Sequence, residues 1–532
     1  MVEIAIAQIN PTMGDLSRNA QKIKTFWQDL DQQGANLIIF PELSICGYPP
    51  EDLVFKPVFL DEIEKQVRNL CKETKNLKSA ALIGSPWRED GKIYNAALWI
   101  KSGEIKHVIK KHHLPNFSVF DEIRTFSSAS LKSLKPIDAF GEKLGILICR
   151  DMWDESVAHH LKSQGATQLI VINGSPFKED KQHLRLELAK ERVKETCLPL
   201  IYGHQVGGQD DLVFDGGSFA LNATGDLITQ LKFFAEDSAL ISKGRIENIP
   251  DRLNGIYQAL LLGLRDYVQK NGFPGIILGL SGGIDSALSA KIAVDAIGQE
   301  NVQCVMMPSP YTSQTSLDDA KKCAENLGVV YEIIPIIDMM EAAHKTLPDL
   351  SDIAQENIQS RMRGQILMAL SNTNGKMVLS TGNKSEVAVG YATLYGDMCG
   401  GFNALKDIYK KDVFALCNWL NQDGEIIPQN ILDKPPSAEL KPDQKDEDSL
   451  PSYDILDGIL KKLIEDDASI EECVEEGYDR NTVMQIWGLV DRSEYKRRQA
   501  APGVRLTSKA FGKDRRYPIT NKFFKIIKDR KD

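Results

Sequence analysis

GIILGLSGGIDS, residues 275 to 286, is the stretch on which the fold of the chain's second half turns. A buried-strand run leads into a glycine loop, a helix opens at Asp285, and a second apolar run, VQCVMMP, follows at 302 to 308. Strand, helix and strand in that order imply a parallel α/β sheet. Working outward, a helix is predicted from Arg252 to about Lys270 ahead of the loop. Behind it come helices over 316 to 327 and 353 to 371 and the strand KMVLST at 376 to 381. Further out, GRIENIPD at 244 to 251 reads as a linker. Between Val2 and Lys243 the apolar runs VEIAIAQI, NLIIF, AALIGS, NAALWI, KLGILIC and QLIVIN alternate with amphipathic stretches, the pattern of a layered α/β domain. Its end, 217 to 243, breaks into short strands. A chain of 532 residues is too long for one ordinary core, so two domains are expected, 1–245 and 252–532.

The composition is that of a folded protein, 42% hydrophobic and 26% charged. Sixty-four basic against 74 acidic side chains leave a net charge of -10, which disfavours nucleic acid as a partner. The start MVEIAIAQIN has no basic n-region and no apolar stretch reaches spanning length, so a cytoplasmic protein without a membrane partner is expected. Nine scattered cysteines without a CxxC pair or zinc spacing read as reduced thiols, most of them small buried apolar residues.

The loop Gly279, Leu280, Ser281, Gly282, Gly283, Ile284, Asp285 and Ser286 is neither GxxxxGK[ST] nor GxGxxG. Its glycines let backbone N–H groups approach phosphate at a helix N-terminus, although a glycine turn that merely caps the helix would look the same. TGNKSE at 381 to 386 follows another strand and puts Thr381 and Glu386 at the carboxyl edge of the sheet, where open α/β sheets bind ligands. Asp285 and Glu386 are then the oxygen ligands suited to Mg2+.

The loop resembles the SGGxDS pyrophosphate loop of ATP pyrophosphatases, with their doubly wound parallel sheet. The segments ENIQSRMRG (356–364), YGDM (395–398), DIYKKDV (407–413), KPPSAEL (434–440) and SEYKRRQ (493–499) resemble bacterial NAD synthetases. That resemblance implies adenylation of the deamido-NAD carboxylate by ATP, followed by displacement of AMP by ammonia. It places Lys410 on ATP and Asn357, Arg361, Glu386, Asp397 and Lys496 on deamido-NAD. On spacing alone Arg361 would read as a helix-surface ion pair.

Ammonia is mostly protonated near neutral pH and then has no lone pair for attack, so a dedicated source is useful. FPELSICGYPPEDL (40–53), KHHLPNFSVFDEIR (111–124) and GILICRDMW (145–153) resemble the nitrilase superfamily, which implies a layered α/β sandwich and a Glu–Lys–Cys triad. By that resemblance Glu42 is the general base, Lys111 the cationic partner, Cys149 the nucleophile and Glu122 a supporting glutamate. Phe117, Ser175 and Lys181 would hold glutamine. A free thiol has a pKa of about 8.5, so a neighbouring ammonium that favours thiolate and a carboxylate that takes the proton would activate it. Taken singly, Cys149 after LGILI also reads as a core residue. His112 and His113 are treated as structural. Three positions depart from the usual pattern: Arg150 where glutamate is frequent, Gly174 where alanine is usual, and His204 where asparagine is common.

The expected partners are glutamine, deamido-NAD and ATP, with Mg2+ as cofactor and a homo-oligomer, dimer or larger, as the assembly. An amidotransferase acting on another adenylated substrate, or a glutamine sensor with an inactive first domain, would share many of these features.

Overall fold

In the N-terminal half the apolar runs become two six-stranded sheets. The first has the order Asp237–Leu240, Ile4–Gln8, Leu37–Ile39, Ala80–Glu89, Lys92–Lys101 and Glu104–Lys110. The second runs Leu227–Gln230, Phe219–Leu221, Leu200–His204, Gln168–Asn173, Glu142–Ile148 and Ile137–Ala139. Alternation decides the layering. On the first sheet Ile4, Ile6, Leu37, Ile39 and Leu82 face Ile146, Ile148, Ile170, Ile172 and Phe219 of the second in one core. The opposite residues Ala5, Ala7, Ile38, Ala81 and Ile83 cover the helices Leu16–Gln32 and Pro57–Glu73. The helix Lys181–Thr196 contributes Ala189 and Val193 to the inter-sheet cluster.

The C-terminal half is built on a parallel sheet ordered Val330–Ile333, Val302–Met306, Ile276–Gly279, Met377–Ser380 and Phe402–Asn403. Counted along the chain, the strands lie 3-2-1-4-5. The order therefore reverses between Ile276–Gly279 and Met377–Ser380, and open sheets of this kind bind ligands at the carboxyl ends of such a pair. A second cluster, Leu456, Ile459, Leu460, Val483, Ile486 and Val490, packs the later helices against Val387 and Ala388.

This computed structural model describes residues 2–442, 444, 446–448 and 450–529. It divides into two compact units, Met1–Arg252 and Leu253–Asp532. Two strands lack the expected apolar run for a common reason: Glu104–Lys110 and Val330–Ile333 are edge strands that bury little of themselves. Among the described residues no helix is long and apolar enough to cross a membrane. All nine cysteines are free, seven of them buried, with Cys399 half-buried and Cys197 exposed.

Candidate active site

In the first unit the chemistry-bearing residues stand just beyond the carboxyl ends of strands. Glu42 follows Leu37–Ile39, Lys111 follows Glu104–Lys110, Cys149 follows Glu142–Ile148, and Ser175 follows Gln168–Asn173. Packing the two sheets face to face thus gathers segments far apart in sequence. Within the first sheet Gly84 lets the Glu42 loop lie against the neighbouring strand, because a Cβ there would lie 2.2 Å from the Leu43 nitrogen and 2.4 Å from the Pro41 oxygen. Any side chain at position 84 would push the Glu42 loop away.

Lys111 is fully buried between two carboxylates, 2.7 Å from Glu42 Oε1 and 2.8 Å from Glu122 Oε2. Asn95 Nδ2 donates to Glu42 Oε1 at 2.7 Å, and the Tyr48 hydroxyl donates to Glu122 Oε1 at 2.8 Å. Burial alone would lower the Lys111 pKa, but Glu122 and Glu42 outweigh it and hold the ammonium well above its ordinary range. Burial raises the Glu122 carboxyl in spite of Lys111. Glu42 Oε2 is buried and accepts no hydrogen bond.

Cys149 opens the turn Cys149–Met152 with φ of 46°, a left-handed backbone that a β-carbon disfavours and that is held where function requires it. The Gly174 backbone N–H donates to its sulfur. Burial and then Glu42 push the thiol well above its ordinary range, against the opposing pull of Lys111. The sulfur is therefore protonated at rest, and the expected thiolate-favouring effect of Lys111 does not prevail. A Cβ on Gly174 would stand 3.2 Å from Glu42 Oε2, so the departure from alanine leaves extra room beside that oxygen.

At the mouth Phe117 is 50% exposed and packs edge-on against Phe120. Lys181 Nζ lies 4.2 Å from the centre of the Trp153 ring. Ser175 is buried, and Arg185 Nη2 donates to its carbonyl at 2.9 Å and its hydroxyl at 3.2 Å. Arg185 also pairs with Asp215 at 2.8 Å. Burial alone would raise Asp215, but Arg185 holds it down at about 2. His204 adjoins this pair, 3.4 Å from Asp215 Oδ1, and burial followed by Arg185 lowers its pKa. His112 and His113 bond Ala129 and Ser156 through their rings, a structural use.

In the second unit the loop after Ile276–Gly279 closes on itself before the helix Ile284–Ile297. Ser286 Oγ donates to the Gly283 carbonyl at 2.9 Å, and the Gly283 N–H donates to Ser281 Oγ at 3.2 Å. Gly282 has φ of 78°, and a Cβ there would meet the Ser316 oxygen at 2.4 Å. Leu280 and Ile284 are buried and anchor the loop. Thr381 begins the facing loop, directly after Met377–Ser380.

Between these loops Lys410 Nζ contacts Asp285 Oδ2 at 2.5 Å and Glu386 Oε1 at 3.3 Å, while Asn383 Nδ2 donates to Asp285 Oδ1 at 2.9 Å. Burial, opposed by Lys410 but supported by Asp285 and Asp446, pushes the Glu386 carboxyl up. Asp446 is itself buried and accepts from the Tyr453 hydroxyl at 2.8 Å. Asp446 thus adds its charge to two carboxylates that share one ammonium. Such an oxygen-rich, charge-excess set fits a hard divalent cation.

Asn357, Arg361, Asp397 and Lys496 converge on the single loop 390–397. Thr393 Oγ1 donates to Asn357 Oδ1 at 2.9 Å, and Arg361 Nε donates to the Leu394 carbonyl at 3.2 Å. Asp397 Oδ1 accepts the Thr393 N–H at 2.7 Å. Lys496 Nζ donates to the Gly390 and Ala392 carbonyls, each at 2.7 Å. Arg361 makes no ion pair among the described residues, so the helix-surface pair that its spacing suggests is not formed. The Glu386 side chain pairs with Lys410, while its carbonyl accepts the Tyr391 N–H of this loop at 3.0 Å.

The motifs do not single out Tyr48, Asn95, Asp151 or Asp446. Asp151 accepts backbone N–H groups from Ile148 at 3.2 Å and His113 at 2.7 Å, tying the Cys149 turn to the Lys111 segment. Burial pushes it up to about 6. Its place two residues after Cys149 was the available signal.

Two family models match the chain, carbon-nitrogen hydrolase over residues 3–247 and NAD synthase over residues 256–500. A glutamine-dependent NAD(+) synthetase of Rhodobacter capsulatus is 46% identical, covering 98% of each chain. The structure of the glutamine-dependent NAD+ synthetase from Acinetobacter baumannii in complex with adenosine diphosphate matches with a TM-score of 0.78 and 42% identity, over 97% of this chain and 98% of that one. The Cytophaga hutchinsonii glutamine-dependent NAD(+) synthetase shares the fold, with a TM-score of 0.87 at 21% identity over 99% and 98% of the two chains. With both halves matched in order and nearly the full length covered, the chain belongs to the family of glutamine-dependent NAD(+) synthetases.

Proposed function

We propose that the two units divide one ligase reaction, with residues 1–245 releasing ammonia from glutamine and residues 252–532 using it to amidate deamido-NAD at the expense of ATP. The observation that carries the reading is a pairing on one chain: a dry Glu–Lys–Glu cluster beside Cys149, and a Lys410 cluster between two loops at a strand-order reversal.

In the first unit the resting thiol is neutral, so Glu42 accepts its proton as sulfur attacks the amide carbon of glutamine. Lys111 and the Gly174 N–H stabilise the developing oxyanion. The tetrahedral adduct collapses to a glutamyl thioester, and the proton taken by Glu42 leaves with ammonia. Water, deprotonated by Glu42, then frees glutamate and restores the thiol. Glu122, with Tyr48, keeps Lys111 charged and aimed. Ser175 and Lys181 meet the amino-acid end of glutamine beside Phe117.

In the second unit the 279–286 loop cradles the ATP phosphates. The nicotinate carboxylate attacks the α phosphorus, releasing pyrophosphate and forming an acyl adenylate, from which ammonia displaces AMP. Lys410 offsets phosphate charge, and Thr381 borders the nucleotide. Asn357, Arg361, Asp397 and Lys496 form the dinucleotide side with the 390–397 loop. Mg2+, held by Asp285 and Glu386 with Asp446 near, would supply charge neutralisation on the phosphates. A homo-oligomer in the cytoplasm completes the reading; sedimentation at micromolar concentration tests the assembly, and a monomer would refute it.

The experiment is Cys149→Ala assayed for NAD formation with two nitrogen sources. Synthesis from glutamine is expected to vanish, while synthesis from ammonium salt at mildly alkaline pH continues at a substantial fraction of the unmodified rate. Retained glutamine use by Cys149→Ala would overturn the assignment of the nucleophile.

A further inference from the structure

Arg150 leaves the buried Cys149 turn and lays its guanidinium against two aromatic rings, 5.1 Å from the centre of Phe117 and 5.6 Å from that of Trp153. It makes no ion pair and no side-chain hydrogen bond among the described residues. Lys181 lies on the same Trp153 ring and opens the 16-residue helix Lys181–Thr196, whose N-terminal end is itself positive. The acidic groups closest to Arg150 in sequence, Asp151 and Asp154, are committed elsewhere, while Asp180 stands at the N-cap of the Lys181 helix. Asp151 accepts the backbone N–H groups of Ile148, His112 and His113, and Asp154 caps the helix Glu155–Ser163.

This mouth therefore offers a substrate the Arg150 guanidinium, with Lys181 on the same Trp153 ring. A carboxylate gains charge-assisted hydrogen bonds there, whereas an α-ammonium meets like charge. A glutamate at position 150 would reverse the sign at the residue next to the nucleophile. We propose that Arg150 makes this site a reader of the substrate's carboxylate that leaves the α-ammonium unread. The unit then also hydrolyses ω-amides of dicarboxylic acids without an α-amino group, such as glutaramate. The inference rests on Cys149 as nucleophile. Sulfur bonds to the amide carbon as the C–N bond breaks, and the thiol proton leaves with ammonia. Water cleaves the glutaryl thioester to glutarate and restores the thiol; nothing is oxidised or reduced.

The test measures ammonia release by the full chain from glutamine, glutaramate and glutamine α-amide, which keeps the ammonium but lacks the carboxylate. For the unmodified protein kcat/KM for glutaramate is expected within about tenfold of that for glutamine, and the α-amide is expected to fall about 100-fold, the scale of a lost charge-assisted contact. Arg150→Glu should shift the glutamine-to-glutaramate ratio by about tenfold or more toward glutamine, and Arg150→Lys should keep the original ratio. A ratio of substrates on one preparation is insensitive to the fraction folded, and the unmodified protein decides the question even if Arg150→Glu does not fold. Glutamine hydrolysis with glutaramate rejected more than about 100-fold, or a ratio unmoved by Arg150→Glu, would overturn the proposal while leaving Cys149 in place. No hydrolysis of any of the three amides would overturn the nucleophile assignment and the proposal together.

Discussion

Each unit places one lysine between two carboxylates, yet the two clusters differ in how they meet water. Around Lys111 the side chains of Glu42 and Glu122 are 0% and 6% exposed, whereas around Lys410 those of Asp285 and Glu386 are 17% and 18% exposed. The first arrangement suits a neutral amide: a dry site strengthens each charge interaction, and substrate entry adds no charge at the carbon under attack. The second suits a polyanion. Its carboxylates reach the loop surface, where a divalent cation and phosphates can join them, and Lys410 is positioned to exchange partners.

The largest expected effect comes from breaking the dry cluster. Lys111→Met leaves two buried carboxylates without their cation, which should cost about 3–5 kcal/mol of stability. Lys410→Met should cost less, about 1–3 kcal/mol, because water reaches those carboxylates. Denaturant unfolding of the two variants checks the order. In turnover, Lys111→Met should lower glutamine-dependent synthesis about 10^3 to 10^4-fold and spare ammonia-dependent synthesis. Equal stability losses would erase the distinction between the clusters.

Next in size, Asp285→Asn should reduce synthesis from either nitrogen source about 10^2 to 10^3-fold while glutamine hydrolysis survives, because it removes a carboxylate that would hold Mg2+ beside the phosphates. The readout is NAD formation against glutamate release on one preparation. Near-normal NAD formation would remove Asp285 from the chemistry.

These two clusters were legible in the sequence to different degrees. Asp285 lies in a contiguous loop whose glycines announce their purpose, and the 3-2-1-4-5 strand order puts that loop at the expected edge. Glu42, Lys111 and Cys149 could be named through their motifs. Their partners could not: Asn95 reaches Glu42 across 53 positions and Tyr48 reaches Glu122 across 74, and nothing local marks either one. Asp446 lies among the charges of QKDEDS, where a run of acids reads as solvated surface, and only the tertiary fold buries it beside Tyr453. The protonated thiol was equally hidden, because burial depends on both sheets and outweighs the lysine that the motif supplies.

A smaller effect is expected on the dinucleotide side. Arg361→Ala should raise the deamido-NAD KM about 10- to 100-fold and the ATP KM much less, since the guanidinium is held on the 390–397 loop rather than on the nucleotide loop. Equal shifts in both constants would assign Arg361 to holding the loop.

The smallest expected change is a shift in the titration of Cys149, and it separates two roles that Glu42 could have. A carboxylate that merely helped to form thiolate would lower the thiol pKa, but here Glu42 raises it. Glu42→Gln keeps an oxygen able to accept from Lys111 and Asn95, so the geometry should persist while one negative charge is lost. With that charge gone and the pull of Lys111 less opposed, the Cys149 pKa should fall. The sign follows directly: a lower thiol pKa means more thiolate at any pH beneath it, so the rising alkaline limb of alkylation by iodoacetamide should move to lower pH. Internal transfer to Glu42 contributes a rate that does not rise with pH, so the alkaline limb reports the thiol itself. Mass spectrometry of the Cys149 peptide keeps the exposed Cys197 out of the measurement. Glutamine turnover should meanwhile fall about 10^2-fold or more, because no base remains to take the proton during attack. An easier thiolate in a slower enzyme is the signature of a general base. A limb that moved to higher pH would mean that Glu42 stabilises the thiolate, and the proton would then have to leave Cys149 before glutamine arrives.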